Sequence, residues 1–127
     1  MKILIDTHIF LWAILEPHRL SAAKTAALID ADNELLMSTA SIWEICIKYG
    51  RGKLPLKLPP EILVPQQMQL QNILPLPLSA EHALQAHQLP VHHRDPFDRM
   101  IIAQAVVESL PVMTDDRHFK KYSIRVL

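Results

Sequence analysis

Short β-prone apolar runs alternate with helical stretches along this 127-residue chain, and this alternation most constrains how it folds. The first run, Lys2–Ile5, ends at Asp6, and an apolar helix is predicted over residues 7–16, before Pro17. Later strands are predicted at residues 35–37, 73–76, 111–114 and 124–127. Strands that alternate with helices favour a mostly parallel sheet covered on both faces. The sequence therefore predicts an α/β fold.

Two helix starts carry capping signals. Asp95 stands before a proline at the first helical position, which predicts a helix from that point. Ser41 and Glu44 have the spacing of a capping box, which predicts a third helix from Ser41 to Tyr49. Gly50 is then expected to supply the left-handed residue that ends this helix.

Length and composition favour a single domain spanning residues 1–127. Half of the residues are hydrophobic and 20% are charged, which is typical of a globular protein rather than a disordered one. The only cysteine, Cys46, excludes an internal disulfide framework and a four-cysteine zinc site. The longest apolar stretch, residues 9–15, is too short to span a membrane, and Asp6 comes too early for a signal peptide. We therefore expect a cytoplasmic protein without a membrane span.

The charges cancel over the whole chain but not locally. Thirteen basic and thirteen acidic residues give a net charge of zero, which by itself does not indicate a nucleic-acid partner. Between Glu44 and Glu61, however, the chain carries no acid and four bases: Lys48, Arg51, Lys53 and Lys57. A run of this kind is usually a solvated surface, but beside an acidic site it can hold the phosphates of a substrate.

Acidic residues recur where predicted strands end or predicted helices begin. Asp6 and the pair Asp115 and Asp116 directly follow strands, while Glu44 and Asp98 fall in the first turns of helices. Taken singly, each has a local explanation as a helix cap or as a charge that favours the helix dipole. In a parallel sheet these positions share one edge, so we expect several of the carboxylates to converge.

A cluster of carboxylates implies a cation. Like charges packed together raise one another's pKa and remain ionised mainly when a cation compensates them. Oxygen ligands without cysteine suit Mg²⁺ or Mn²⁺, which retain waters and accept further ligands from phosphate groups. Such an ion polarises a phosphoryl group and activates an attacking water. This pattern favours metal-assisted hydrolysis of phosphodiester bonds.

Four segments resemble the motifs of the PIN-domain family, and in particular the VapC-type ribonuclease toxins of toxin–antitoxin pairs. They occur in the family's order and span nearly the whole chain: IDTHIFLW at 5–12, SIWEICIK at 41–48, HRDPFDRMIIAQA at 93–105 and MTDDRHF at 113–119. The resemblance implies a three-layer α/β/α sandwich with a mainly parallel sheet. It also implies a Mg²⁺-dependent endoribonuclease, with Mn²⁺ as a possible substitute, whose substrate is RNA.

The resemblance also assigns roles to individual residues. Asp6 and Asp98 would be the principal metal ligands, Glu44 a ligand or a base acting through water, and Asp116 the fourth acid. Thr114 would support the cluster by hydrogen bonding and is also a candidate for substrate binding. The other candidates for substrate binding are Lys48, Arg51 and Lys53. A cognate antitoxin and a homodimer are the expected partners.

Neighbouring acids compete for two of these positions. Asp98 is preferred to Asp95 because Ala103 and Ala105 follow it at the family's spacing. In the same way Asp116 is preferred to Asp115, because an aromatic residue follows it three positions later.

Three residues within the third motif have predicted places. The loop around His93 is expected to be solvated, with His93 or Arg94 as the residue that approaches substrate. Arg99 adjoins Asp98 and either pairs with Asp95 or meets phosphate, and the ion pair is the preferred alternative.

Two other classes of function are compatible with the predicted fold. A catalytically silent module that binds RNA or a protein would bind without turnover and would tolerate loss of the acids, yet all four motif acids are present. An aspartyl-phosphate enzyme or receiver with Asp6 as the phosphate acceptor is disfavoured, because Asp6-Thr7-His8 lacks the second Asp of the phosphatase pattern.

Overall fold

A computed structural model describes all 127 residues of the chain. Its elements, in chain order, are β1 (Lys2–Ile5), α1 (Thr7–Leu15), a 3₁₀ turn (Pro17–Arg19), α2 (Ala22–Ile29), β2 (Glu34–Ser38), α3 (Thr39–Gly50), α4 (Pro60–Leu70), β3 (Ile73–Leu76), α5 (Ala80–Gln88), α6 (Pro96–Glu108), β4 (Val112–Met113) and a second 3₁₀ turn (Arg117–Lys121). The predicted alternation of strands and helices is confirmed.

The four strands form one parallel sheet in the order β3-β2-β1-β4. Ile5 lies opposite Met37 of β2 and Met113 of β4, so these neighbouring strands end at nearly the same level. The predicted strand at 124–127 is reduced to an isolated parallel bridge between Val126 and Val112. Residues 125–127 still exchange backbone hydrogen bonds with β4, which is itself only two residues long.

Side chains of the sheet point alternately into two separate cores. On one face, Ile3 and Ile5 of β1 pack with buried residues of α1, α3 and α4, such as Phe10. On the other face, Leu4 packs with α6 and the second 3₁₀ turn, including Ile102. The fold is therefore the three-layer α/β/α sandwich that the sequence predicted.

Helix α3 begins earlier than predicted. Ser38, the last residue of β2, caps it by accepting a hydrogen bond from the Ala40 N–H. Ser41 and Glu44 consequently lie inside the helix, so the predicted capping box is wrong. Their one-turn spacing instead places both side chains on the same buried helix face. The predicted left-handed stop at Gly50 is also wrong, since α3 includes Gly50 and the positive φ, 71°, occurs at Gly52.

The predicted start of α6 is confirmed. The Asp95 side chain accepts hydrogen bonds from the backbone N–H groups of Phe97 and Asp98, and Pro96 occupies the first helical position. The α6 cap fixes the direction in which the first turn presents Asp98.

No helix is long enough to cross a membrane, since even α6 has only 13 residues.

Candidate active site

Acidic side chains from four separate elements converge beyond the carboxyl ends of the strands. Asp6 follows β1, Glu44 lies on α3 behind β2, Asp98 lies in the first turn of α6, and Asp116 follows β4. Asp6, Glu44 and Asp98 are buried, and Asp116 is half-buried. The structure therefore brings all four predicted acids together, at the edge where parallel α/β sheets bind ligands.

Asp6 is both a helix cap and a member of this cluster. One carboxylate oxygen accepts hydrogen bonds from the backbone N–H groups of His8 and Ile9 at the start of α1, and the other accepts from the Thr114 hydroxyl. Burial raises the pKa of Asp6, and these hydrogen bonds only partly oppose that effect. The cap fixes the carboxylate at the end of the central strand.

Two side chains donate hydrogen bonds to Glu44. Its Oε1 accepts a hydrogen bond of 2.7 Å from the Thr7 hydroxyl, and its Oε2 accepts one of 2.7 Å from Nζ of Lys48. The hydroxyls of Thr7 and Ser41 lie 2.8 Å apart. Because the single Thr7 proton goes to the carboxylate, Ser41 donates to Thr7. Ser41 and Glu44 were predicted to cap α3, but they instead take part in the hydrogen bonds that orient the buried Glu44 carboxylate.

Burial and neighbouring acids both perturb Asp98. Its pKa is raised to about 8, first by burial and then by repulsion from the acids around it: Asp95, Asp6, Glu44 and Asp116. Burial and the repulsion from neighbouring carboxylates therefore both disfavour the ionised form of Asp98.

Asp116 is the best-compensated acid of the cluster. Burial alone would raise its pKa, but hydrogen bonds from the His118 N–H, the His93 ring and the His118 ring outweigh burial and lower the pKa. Its own N–H donates to the Thr114 hydroxyl at 2.9 Å. Thr114 thus joins Asp116 to Asp6. The predicted hydrogen-bond support by Thr114 is confirmed, and its side chain is buried; its contact with substrate stays a prediction.

The prediction that His93 lies in a solvated loop is wrong, and its role beside the acids was not predicted. Instead of standing in solvent, its Nε2 lies 2.9 Å from Oδ2 of both Asp98 and Asp116. Its Nδ1 accepts the Asp95 N–H at 3.2 Å, so the ring proton is on Nε2 and faces the acids. The available signal was its position two residues before a helix cap in the third motif, which ties it to the start of α6.

A model of the PIN domain matches residues 3–124 of the chain. The chain belongs to the PIN-domain family. This PIN domain is 29% identical over 121 residues to a protein named ribonuclease VapC22 of Mycobacterium tuberculosis, covering 94% of this chain and 91% of that one. It is 42% identical over 66 residues to ribonuclease VapC16 of the same organism, covering 51% and 45% of the two chains.

The fold of the PIN domain also matches solved structures. A chain from the crystal structure of VapBC2 from Rickettsia felis, bound to a DNA fragment from its promoter, superposes with a TM-score of 0.73. The match covers 100% of this chain and 98% of that one, at 19% identity. The resemblance found in the sequence motifs is thereby confirmed at the level of fold and family.

The structure separates the neighbouring acids in each ambiguous pair. Asp98 is buried among the other acids, whereas Asp95 caps α6. Asp116 contacts His93, whereas Asp115 points away and pairs with Lys24 at 2.8 Å. In both pairs the acid in the cluster is the one preferred from the family's spacing.

The predicted ion pair between Arg99 and Asp95 is wrong. The Arg99 guanidinium instead donates to four backbone carbonyls, those of Ala86, Leu89, Pro90 and His93. These carbonyls belong to the end of α5 and the loop that leads to α6. Arg99 therefore fixes the loop that carries His93, because a planar guanidinium presents five donors in a rigid fork.

Basic side chains lie on one flank of the acids. Lys48, Arg51 and Lys53 line a cavity that also includes Glu44. Lys48 pairs with Glu44 at 2.7 Å, whereas Arg51 and Lys53 form no ion pair and are exposed. The three residues predicted to contact substrate therefore stand together beside the cluster.

The donor set of this PIN domain fits a hard divalent cation. Asp6, Glu44 and Asp116 all lie near enough to repel the Asp98 carboxylate, no thiolate lies among them, and the His93 imidazole presents an N–H rather than a lone pair. The ligand atoms of His93, Asp116 and His118 also lie within 4.8 Å of one another. The raised pKa of Asp98 indicates that positive charge is needed to keep it ionised at neutral pH. Mg²⁺ or Mn²⁺ suits these oxygen ligands.

Proposed function

We propose that this PIN domain is a metal-dependent endoribonuclease that hydrolyses RNA phosphodiester bonds at the site formed by Asp6, Glu44, Asp98 and Asp116. The observation that carries the proposal is the convergence of these four acids from four elements at one edge of the sheet. The names of the two ribonuclease relatives support RNA as the substrate.

Asp6 and Asp98 are the proposed principal ligands of Mg²⁺ or Mn²⁺, with Glu44 and Asp116 completing the site. When bound, the ion polarises the phosphoryl group and lowers the pKa of the attacking water. Glu44, held by Thr7 and Lys48, presents a carboxylate in a fixed orientation that accepts a proton from water.

The remaining residues orient and compensate the acids. Asp116 stays ionised because His93 and His118 donate to it, so it accepts a hydrogen bond from water or binds the cation. The unpaired cations Arg51 and Lys53 attract the backbone phosphates on the flank of Glu44. Phosphate contacts of this type position the RNA without reading its sequence.

A pair of neighbouring substitutions tests the assignment. Asp116→Asn removes an ionised carboxylate from the cluster, and we expect cleavage of RNA in Mg²⁺ to fall at least about 100-fold. Asp115→Asn is the matched control, because Asp115 pairs only with Lys24 outside the cluster and should retain cleavage within about twofold. Equal activity of both variants would contradict the role of Asp116.

The proposal extends to partners. The structural relative from R. felis is named as a VapBC complex, and for this chain we infer a cognate antitoxin and a homodimer. Large apolar side chains are exposed on α3 and α4, where Trp43 is 61% exposed and Leu70 is 70% exposed. Light scattering on the chain alone should give twice its mass of 14.5 kDa. A monomer at micromolar concentration would contradict the homodimer.

A further inference from the structure

A separate cavity of about 270 Å³ opens beside the acidic cluster, between the end of α3 and the start of α6. It shares only Glu44 with the four acids, and its other charged walls are Lys48, Arg51, Lys53 and Asp95. The volume is below that of typical drug-sized pockets and suits one small planar group.

The charges around this cavity leave its interior open to a ligand. Arg51 and Lys53 form no ion pair with Asp95, although all three line the same space. Arg51 and Lys53 are exposed and attract phosphates at the rim.

An aromatic ring forms part of the wall. Phe97 is half-buried, lines the cavity and directly precedes Asp98 on α6. Adjacent helical side chains point about 100° apart, so one turn of α6 directs Asp98 to the cluster and Phe97 to the cavity. A ring in this place offers a stacking surface to a nucleobase next to the bond that is cut.

One oxygen of the Asp95 carboxylate has no hydrogen-bond partner in the protein. Its Oδ1 accepts both cap hydrogen bonds, at 2.9 Å from the Phe97 N–H and 3.4 Å from the Asp98 N–H. Its Oδ2 accepts none from the protein. The cap also holds the carboxylate rigidly, which favours selective hydrogen bonding to a ligand.

We propose that this cavity is a base-recognition subsite that stacks a nucleobase on Phe97 and selects guanine through Asp95. Guanine presents two adjacent N–H donors, at N1 and N2, and the two lone pairs of the free Oδ2 of Asp95 accept both. Uracil presents one donor between two carbonyl oxygens, which the carboxylate repels, and adenine and cytosine present one amino group. The subsite deepens the proposed function, because it rests on RNA being the substrate, and it gives the site a preference that phosphate contacts alone do not supply.

Binding in EDTA tests the subsite without cleavage. The probes are 5′-labelled uridine hexamers that carry G, A, C or U at the third position, measured by fluorescence anisotropy. We expect the guanine hexamer to bind about tenfold or more tightly than the all-uridine hexamer. Equal affinity of the four hexamers for the wild-type chain would overturn the proposal.

Two variants each remove one negative charge from the chain. Asp95→Asn keeps a good helix cap but replaces a carboxylate oxygen with an amide group that also donates, so the preference for guanine should fall below about twofold. Asp115→Asn is the matched control and should retain the preference, because Asp115 pairs with Lys24 and does not line the cavity. A preference that survives Asp95→Asn would overturn the role of that residue.

A third variant addresses stacking. Phe97→Leu keeps an apolar side chain but removes the aromatic face, and we expect the affinity for all four hexamers to fall about tenfold. Unchanged affinity would overturn the stacking role. Failure of the nuclease itself is distinguished by a parallel assay in Mg²⁺: cleavage without any base preference removes only the subsite, whereas base-selective binding without cleavage removes only the hydrolytic function.

Discussion

Two buried threonines show how single residues set up the acidic cluster. Thr7 donates to Glu44, and Thr114 donates to Asp6 while it accepts the Asp116 N–H. Each hydroxyl has one proton, so donation to a carboxylate fixes the direction of the whole chain of hydrogen bonds. The threonines thus hold the acids from different elements in one constellation before any cation binds.

Thr114→Val tests this positioning role. Valine keeps the shape of the side chain but leaves the Asp116 N–H and one Asp6 oxygen without their partner. We expect the free energy of unfolding to fall by about 1–3 kcal/mol and RNA cleavage to fall with it. Thr25→Val, at an exposed site on α2, is the control and should change stability by less than about 0.5 kcal/mol. Equal effects in urea denaturation would refute the role.

At the scale of elements, the loop between α5 and α6 is fixed from two sides. Arg99 donates to four of the carbonyls around it, and the Tyr122 hydroxyl accepts the N–H groups of His92 and His93 while donating to the Pro90 carbonyl. This double attachment explains how a loop residue, His93, reaches two acids with a defined ring orientation. Sequence alone does not reveal it, because these contacts join residues up to 32 positions apart.

Arg99→Lys tests the attachment of the loop. Lysine keeps the charge but not the planar fork, so most of the four carbonyl contacts are lost. We expect the His92 and His93 amides to exchange with solvent faster, and cleavage to decrease because His93 is less well held. Arg94→Lys, on the same loop but exposed and without a hydrogen bond, provides the comparison. Identical exchange in the two variants would show that Arg99 does not fix the loop.

Local sequence patterns located most of the elements and the positions around which the acids cluster, whereas the choice of Asp98 over Asp95 and of Asp116 over Asp115 came from the family resemblance. Caps at Asp6 and Asp95 and the apolar runs of the strands are local signals, so they could be interpreted from the chain alone. The start of α3 was misplaced because Ser38 and Ser41 are both capable caps, and the choice depends on where β2 ends against its neighbours. The partners of Arg99 and His93 depend in the same way on tertiary packing.

At the scale of the whole molecule, the acidic cluster links stability to pH in the absence of metal. The pKa of Asp98 is 3.8 in its ordinary state and about 8 in the fold, so the folded chain binds this proton more tightly. The stability that Asp98 contributes is present below pH 4 and is lost as the pH rises towards 8. Asp6 acts in the same direction, since its pKa is also raised.

The difference in melting temperature between the wild-type chain and Asp98→Asn, followed against pH, measures this linkage. In EDTA, the melting temperature of the wild type should fall relative to that of the variant as the pH rises from about 5 to 8. Mg²⁺ should then restore stability to the wild type at pH 8 more than to the variant, because a ligand that binds the fold stabilises it. A constant difference across this pH range would contradict the electrostatic strain assigned to Asp98.

Cleavage of RNA by the purified chain tests the central claim most directly. Total cellular RNA would be incubated with the wild type in Mg²⁺, in EDTA, and in EDTA followed by excess Mg²⁺, beside Asp98→Asn whose fold is verified by circular dichroism. We expect discrete fragments with the wild type in Mg²⁺ and after Mg²⁺ is restored, and none in EDTA or with the variant. Cleavage that persists in EDTA or in Asp98→Asn would contradict a metal-dependent four-carboxylate site. Intact RNA in every lane, after mass spectrometry excludes a bound partner, would favour a catalytically silent binding module.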